Sequence, residues 1–190
     1  MKILVINDSQ NEDKFGKKIR EKTVKMLKGE KVEFKGYNLS IDNLHHCIGC
    51  FNCWFKTPGI CVFDDVSRSI CEDFVKSDIV LYVGPIKYGC YSPVIKRVFD
   101  RQIPNVLPFF EEVHGEMNHS PRYDKYPELV TLGYSEDISD EEEETFSSLV
   151  TANGINFQKG GAKAYVCKND IDIDEYISKF QNYLKGKEVR

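Results

Sequence analysis

The sequence has no apolar run approaching the roughly 20 residues that a membrane-spanning helix needs, which excludes a helical membrane span. It has no excess of basic residues. Its 26 Lys and Arg stand against 30 Asp and Glu, a net charge of −4, which argues against nucleic acid as a partner. It has no internal repeat and no low-complexity linker, so residues 1–190 are expected to form one domain, long enough to bury a core. It shows no export signal. The opening stretch, Met1-Lys2-Ile3-Leu4-Val5-Ile6, is too short for one and reads as a strand, so the expectation is a cytoplasmic protein. The seven cysteines are an odd number. In a reducing compartment they point to ligands, redox groups or buried thiols rather than to a disulfide framework.

What is present is an alternation of strand and helix. Residues 3–6 are apolar throughout, as a strand covered on both faces should be. A helix follows over residues 13–27, with Phe15, Ile19, Thr23, Met26 and Leu27 inward and Gly29 as its stop. Residues 31–39 alternate cleanly, which predicts an edge strand. A cysteine-rich loop spans residues 47–61. A second helix opens at Asp64 or Asp65 and carries Val66, Ile70 and Phe74. Residues 79–83 form a third, buried strand. The chain then turns through Tyr88-Gly89 and enters a helix with Ser92 as N-cap and Pro93 in its first position. Residues 128–132 form a fourth strand. Ser139 and Glu142 make a capping box ahead of Phe146, Leu149 and Val150. Residues 162–167 form a fifth strand. The last helix carries the apolar stripe Ile173, Tyr176, Ile177, Phe180, Tyr183 and Leu184.

Five strands alternating with five helices predict a parallel sheet with helices on both faces, an α/β three-layer sandwich. Five strands favour the flavodoxin-like order 2-1-3-4-5 over a six-stranded Rossmann sheet. In that order the loop after the first strand and the loop at residues 85–90 face each other across one crevice, at the strand ends where ligands bind in such sheets.

Pro85, Tyr88, Gly89, Ser92, Lys96, Asp100 and Arg101 resemble the signature of NAD(P)H-dependent FMN reductases with a flavodoxin-like fold. The resemblance implies an oxidoreductase with bound FMN, NAD(P)H as co-substrate, and a small acceptor such as a quinone or a nitro or azo compound. It implies that FMN is held by Ser9, Asn11 and Lys14, by Pro85, Ile86, Lys87, Tyr88, Gly89 and Cys90, and by Gly133 and Tyr134. No side chain need act as acid or base, because hydride chemistry belongs to the flavin. Tyr88 would stack on the ring, and Gly89 would let the backbone approach it. The first loop departs from the family. Asp8 stands where a glycine is expected, and Glu12 and Asp13 put negative charge beside the expected phosphate, partly offset by Lys14 and Lys17.

Cys47, Cys50, Cys53 and Cys61 have the spacing C-x2-C-x2-C-x7-C and are similar to the cysteine segment of iron–sulfur flavoproteins. Three readings stand: a 4Fe-4S cluster, a zinc site, or a metal-free loop packed by Trp54, Phe55 and the Pro58-Gly59 turn. Cys71 and Cys167 are expected in the core, and Cys90 close to the ring. The insertion at residues 102–127 is too long for a passive link. Its Phe109, Phe110, His114, His119, Tyr123 and Tyr126 would roof the flavin or form a homodimer contact. Two other functions stay open: an electron carrier served by a ferredoxin-like partner, and a binding module of this fold that has lost its flavin.

Overall fold

Alternation along two buried strands sets the architecture. The computed structural model describes residues 1–10, 13–113, 115–157 and 162–188. Its strands are β1 (Lys2–Asp8), β2 (Glu33–Leu39), β3 (Ile79–Lys87), β4 (Cys90–Tyr91), β5 (Val106–Val113), β6 (Glu116–Pro121), β7 (Glu128–Tyr134) and β8 (Ala162–Cys167). Its helices are α1 (Lys14–Gly29), α2 (Asn52–Phe55), α3 (Val66–Lys76), α4 (Pro93–Asp100), α5 (Asp140–Asn156) and α6 (Ile173–Glu188). Ile3, Val5, Leu81 and Val83 point to one face, where they meet Phe15, Ile19 and Leu27 of α1 and Ile177 and Phe180 of α6. Leu4, Ile6, Val80 and Tyr82 point to the other, against Ile70 and Phe74 of α3, Val94 and Val98 of α4, and Phe146 of α5. A strand with both faces covered buries nearly every residue, and β1 and β3 do.

The parallel strands run in the order β2-β1-β3-β7-β8, the expected flavodoxin-like 2-1-3-4-5. β2 lies at the edge as expected, but its exposure does not alternate cleanly, because Lys35 and Gly36 are both exposed and a glycine has no side chain to bury. Three helix starts also stand where the sequence puts them. Asp13 caps α1, Ser92 Oγ accepts from Ile95 N at 3.2 Å with Pro93 behind it, and Ser139 and Glu142 close a capping box on α5. Among the described residues no helix is long and apolar enough to cross a membrane.

Three elements differ from expectation. The third strand does not stop at residue 83. It runs on to Lys87, turns, and pairs back through Ile86–Tyr91 and Lys87–Cys90. Tyr88 at φ 52° and Gly89 at φ 66° are both left-handed, the requirement of a two-residue type I′ hairpin turn. The segment at 102–127 is not irregular. A 3-10 turn at Ile103–Asn105 leads into an antiparallel hairpin of β5 and β6. That hairpin is half-exposed along most of its length, so no buried alternation marks it in the sequence. Tyr126, expected to face a flavin or a partner, is buried against Phe157 and bonds the carbonyl of Asn105. His114 lies outside the described residues.

The other departure is the role of Arg101. Its side chain is 1% exposed and donates to both oxygens of Asp65 at 3.0 Å, to the carbonyl of His45 at 2.7 Å, and to Ser67 Oγ. Its guanidinium lies 5.3 Å from the centre of the Phe63 ring. Breaking a buried pair from one side leaves a stranded charge. Arg101→Ala is therefore expected to cost about 3–5 kcal/mol, read by denaturant unfolding. Burial alone would raise the Asp65 carboxyl, but hydrogen bonds from Ser67, His45 and Arg101 outweigh it and hold it below its usual value. The stability it contributes is present above an unfolded pKa of about 3.9 and is lost as pH falls through the lower folded value. Asp65→Asn should therefore lower stability at neutral pH and lose less than the natural chain on acidification below about pH 4.

Candidate functional site

The strand order reverses between β1 and β3, so the loops that leave their carboxyl ends stand side by side. One is the loop leading into α1. The other is the turn from Lys87 to Cys90. They flank the place, at the switch point of the sheet, where the sequence predicts a flavin.

The turn is rigidly held. A Cβ added at Gly89 would come within 3.1 Å of the Glu142 carbonyl and of Thr145, so the turn rests on the first part of α5. Tyr88 projects from its tip and is 93% exposed. Ile86 is buried in the core and Cys90 is half-buried. Gly133 lies where a Cβ would strike Phe146 and Ile86, which lets β7 pack closely under the turn. An exposed aromatic on a fixed turn, beside backbone that can approach a flat ligand, fits the ring end of a flavin.

In the first loop several of the described donors are taken by the chain itself, while Ser9 shares a groove with Lys17 and Arg20. Ser9 spends both its donors on one acceptor: its N–H and its hydroxyl go to the Leu39 carbonyl at 2.8 and 2.9 Å. Gln10 N donates to the Asp8 carboxylate at 2.8 Å. Gly16 N, a donor of the first turn of α1, is taken by the Asp13 carboxylate. Tyr134 packs edge-on against Phe15 with 5.6 Å between centroids, and its hydroxyl is so close to Gly16 that no Cβ would fit there. Arg20 donates to the Asp8 carbonyl at 3.1 Å and to the Tyr134 hydroxyl at 3.3 Å. Burial pushes the Tyr134 phenol well above its usual pKa, so it stays a neutral hydroxyl. Lys14 is exposed, and Asn11 lies outside the described residues. Tyr134 is thus drawn to α1 rather than to the turn.

The four cysteines of the loop do come together. Cys47, Cys50, Cys53 and Cys61 line one small cavity with Phe51, Phe63 and Ile103. Its volume of about 20 Å³ is room for a water, not for a cube of iron and sulfur. Among the described residues no group of three or more His, Cys, Asp or Glu side chains could hold a metal ion. Burial, then the neighbouring Cys61, pushes the Cys53 thiol up to about 11. The loop is closed by aromatic packing instead. Phe51 stacks on Trp54 at 5.1 Å, and Trp54 Nε1 donates to the carbonyls of Ile103 and Val106 at 3.1 and 2.9 Å. The 4Fe-4S and zinc readings gain no support from this geometry; Trp54 packs the loop as the third reading has it, whereas Phe55, named with it, is exposed.

A cavity of about 310 Å³ that no sequence pattern announces lies beside the turn, walled by Cys90, Tyr91, Phe99, Gln102, Val106 and His119 among others. Gln102 is 2% exposed. Its Oε1 accepts from Asn105 Nδ2 at 2.8 Å, and its Nε2 has no partner among the described residues. His119 stacks on Phe110 at 4.4 Å and so belongs to the hairpin wall. Only the folding back of 102–121 brings these residues to Cys90, and no local pattern reports that.

The sequence model of a family described as NADPH-dependent FMN reductase matches residues 1–116. No curated protein matches the chain in sequence. Among solved structures, an FMN-dependent NADH-azoreductase from Bacillus anthracis in complex with FMN superposes with a TM-score of 0.66 at 10% identity, covering 100% of this chain and 99% of that one. An NAD(P)H:quinone oxidoreductase from Methanothermobacter marburgensis does so with a TM-score of 0.68 at 10% identity, covering 96% and 94%. At such identity these likenesses speak for the fold. Within that fold the thiols are graded by exposure, and the grading is measurable. Cys50 is exposed, whereas Cys53, Cys71 and Cys167 are buried, with Cys53 held protonated up to about pH 11. Alkylation of the folded protein near pH 8, followed by mass spectrometry, should label Cys50 first and the buried three only on unfolding. Equal rates at Cys50 and Cys53 would mean that the loop is open.

Proposed function

Because the chain belongs to the NADPH-dependent FMN reductase family, we propose that it is an oxidoreductase that carries reducing equivalents from NAD(P)H through a flavin to a small acceptor, such as a quinone or a nitro or azo compound. The observation that carries this reading is the crevice at the reversal of strand order, with Tyr88 exposed on a fixed type I′ turn. A bound flavin supplies the redox chemistry; the chain supplies position. Tyr88 offers a face for the ring, and the tip of the turn, Tyr88-Gly89, is the backbone left outside the Lys87–Cys90 pairing. The neighbouring cavity of about 310 Å³ is of the size that small molecules occupy. Gln102 lines that cavity, with its Nε2 buried and without a partner among the described residues. The closed cysteine loop offers nothing to a ferredoxin-like donor, so NAD(P)H is the donor in this reading. A cytoplasmic location goes with it.

A second reading rests on the first loop. With the donors of Ser9, Gln10 and Gly16 already spent, a binding module that has lost its flavin is the alternative. Flavin titration followed by NADPH oxidation in the presence of a quinone separates the two. Uptake of flavin with turnover supports the oxidoreductase, and a protein that takes up no flavin supports the module.

Two further measurements follow from the residues. Tyr88→Ala should weaken flavin binding by about 1–3 kcal/mol, the scale of lost stacking and burial, and an unchanged dissociation constant would remove Tyr88 from the site. Phe109 and Phe110 are 67% and 61% exposed on the hairpin, and Met117 lies exposed on its other strand. We propose that this surface pairs two copies of the chain. Light scattering should then report a dimer that Phe110→Asp dissociates; a natural chain that is monomeric at micromolar concentration sinks this proposal.

A further inference from the structure

Four thiols gathered in one loop have a chemistry that needs no metal. Cys47, Cys50, Cys53 and Cys61 line one cavity of about 20 Å³. A space of that size is room for one water, so the four side chains meet around it. Burial raises the Cys53 thiol most, and Cys61, Cys47 and Cys50 then add to it in that order, which marks all three as its neighbours. The backbone is bent to make this arrangement. Phe51, between Cys50 and Cys53, is left-handed at φ 54°, a conformation that a bulky side chain rarely adopts. Such departures persist only where the surroundings hold them, and they gather at functional sites. Here stacking on Trp54 holds Phe51. Gly59 N donates to the Cys53 carbonyl at 2.9 Å, which folds the arm carrying Cys61 back onto the arm carrying Cys53. The thiols also differ in access. Cys50 is exposed, Cys47 and Cys61 are half-buried, and Cys53 is buried.

We propose that the cysteine loop is a thiol–disulfide exchange site, in which Cys50 captures a small, water-soluble disulfide and Cys47 or Cys61 resolves it. The site is separate from the flavin reading and does not depend on it. In the first step Cys50 loses its proton to water, and its sulfur attacks the external disulfide. The external S–S bond breaks, a mixed disulfide forms on Cys50, and one small thiol leaves. In the second step the resolving thiol loses its proton and bonds to the Cys50 sulfur. The mixed disulfide breaks and the second small thiol leaves. Two protein thiols are oxidised by two electrons, and the external disulfide is reduced to two thiols. Exchange runs through the thiolate, so Cys53, buried and held protonated up to about pH 11, takes no part. An exposed entry thiol with half-buried thiols behind it lets the mixed disulfide form at the surface and be resolved from within.

The test equilibrates the full chain, reduced and treated with a chelator, in mixtures of reduced and oxidised glutathione of rising oxidised share. One internal disulfide should form, seen in the intact mass as the loss of two hydrogens. Peptide mapping should place it between Cys50 and either Cys47 or Cys61. Trp54 is the one tryptophan of the chain and stacks on Phe51, so its fluorescence should follow the same titration and recover on reduction. Cys50→Ser changes an exposed side chain, leaves the core untouched, and should leave no internal disulfide in the loop. Of Cys47→Ser and Cys61→Ser, the one that removes the resolving thiol should trap glutathione on Cys50. A bond to Cys53, a lasting glutathione adduct on Cys50 of the natural chain, or four free thiols under oxidised glutathione overturns the proposal. An internal disulfide that still forms in the loop of Cys50→Ser at the natural rate overturns it too, because Cys50 would then not be the entry thiol.

Discussion

Arg101 reaches from the end of α4 into a site made by three other stretches of the chain: the His45 carbonyl, the Asp65 carboxylate and the Ser67 hydroxyl. Asp65 is at the same time the N-cap of α3, accepting from Ser67 N at 3.0 Å, and accepts from His45 N at 3.0 Å. One buried ion pair therefore fixes both ends of the cysteine loop, the start of α3 and the end of α4. A guanidinium is suited to this because its planar fork bonds two oxygens at once and never loses its proton. A lysine could hold one of these partners, but not all. Arg97, one turn earlier, extends the tie with donations to the carbonyls of Ile41 at 3.0 Å and Leu44 at 2.9 Å.

From that anchor the rest of the crevice is placed. With the end of α4 held, its start at Ser92 and Pro93 fixes where the chain leaves the turn at Lys87–Cys90. The short 3-10 turn that follows carries the carbonyl of Ile103 to Trp54, so the hairpin is hung from the cysteine loop that Arg101 has already positioned. The cavity beside Cys90 is the space between these tied parts. Its walls come from α4, α5 and the base of the hairpin, and none of them is a loop free to drift.

The sheet was legible because burial imposes a period. Ile3 to Ile6 and Ile79 to Val83 could only be strands covered on both sides, and the strand–helix alternation left one simple order. The caps were legible because Asp13, Ser92 and Ser139 act within three residues of themselves. What escaped was non-local. Arg101 belonged to a signature, but its partners lie 34 to 56 residues away, and no pattern in the sequence joins them. Ser9 matched a serine expected to hold phosphate, yet its donors turn to Leu39, a choice made only once β2 lies beside β1. Tyr134 followed the same course. Its position at the end of β7 suggested the ring, while the missing side chain at Gly16 drew it to α1.

A helix N-terminus has one set of unpaired donors, and a ligand and the chain compete for it. When a ligand wins, the loop is ordered by binding, and its affinity is linked to the stability of the fold. In this chain the carboxylates of Asp8 and Asp13 win in advance. Two of the described donors are then taken without any ligand, and the macrodipole of α1 meets a negative charge at Asp13. Lys17 and Arg20 line a groove with Ser9 beside those carboxylates, so the start of α1 carries charge of both signs. A likeness read from the signature at Tyr88 to Arg101 speaks for the other side of the sheet's switch point, and the two sides answer to different constraints.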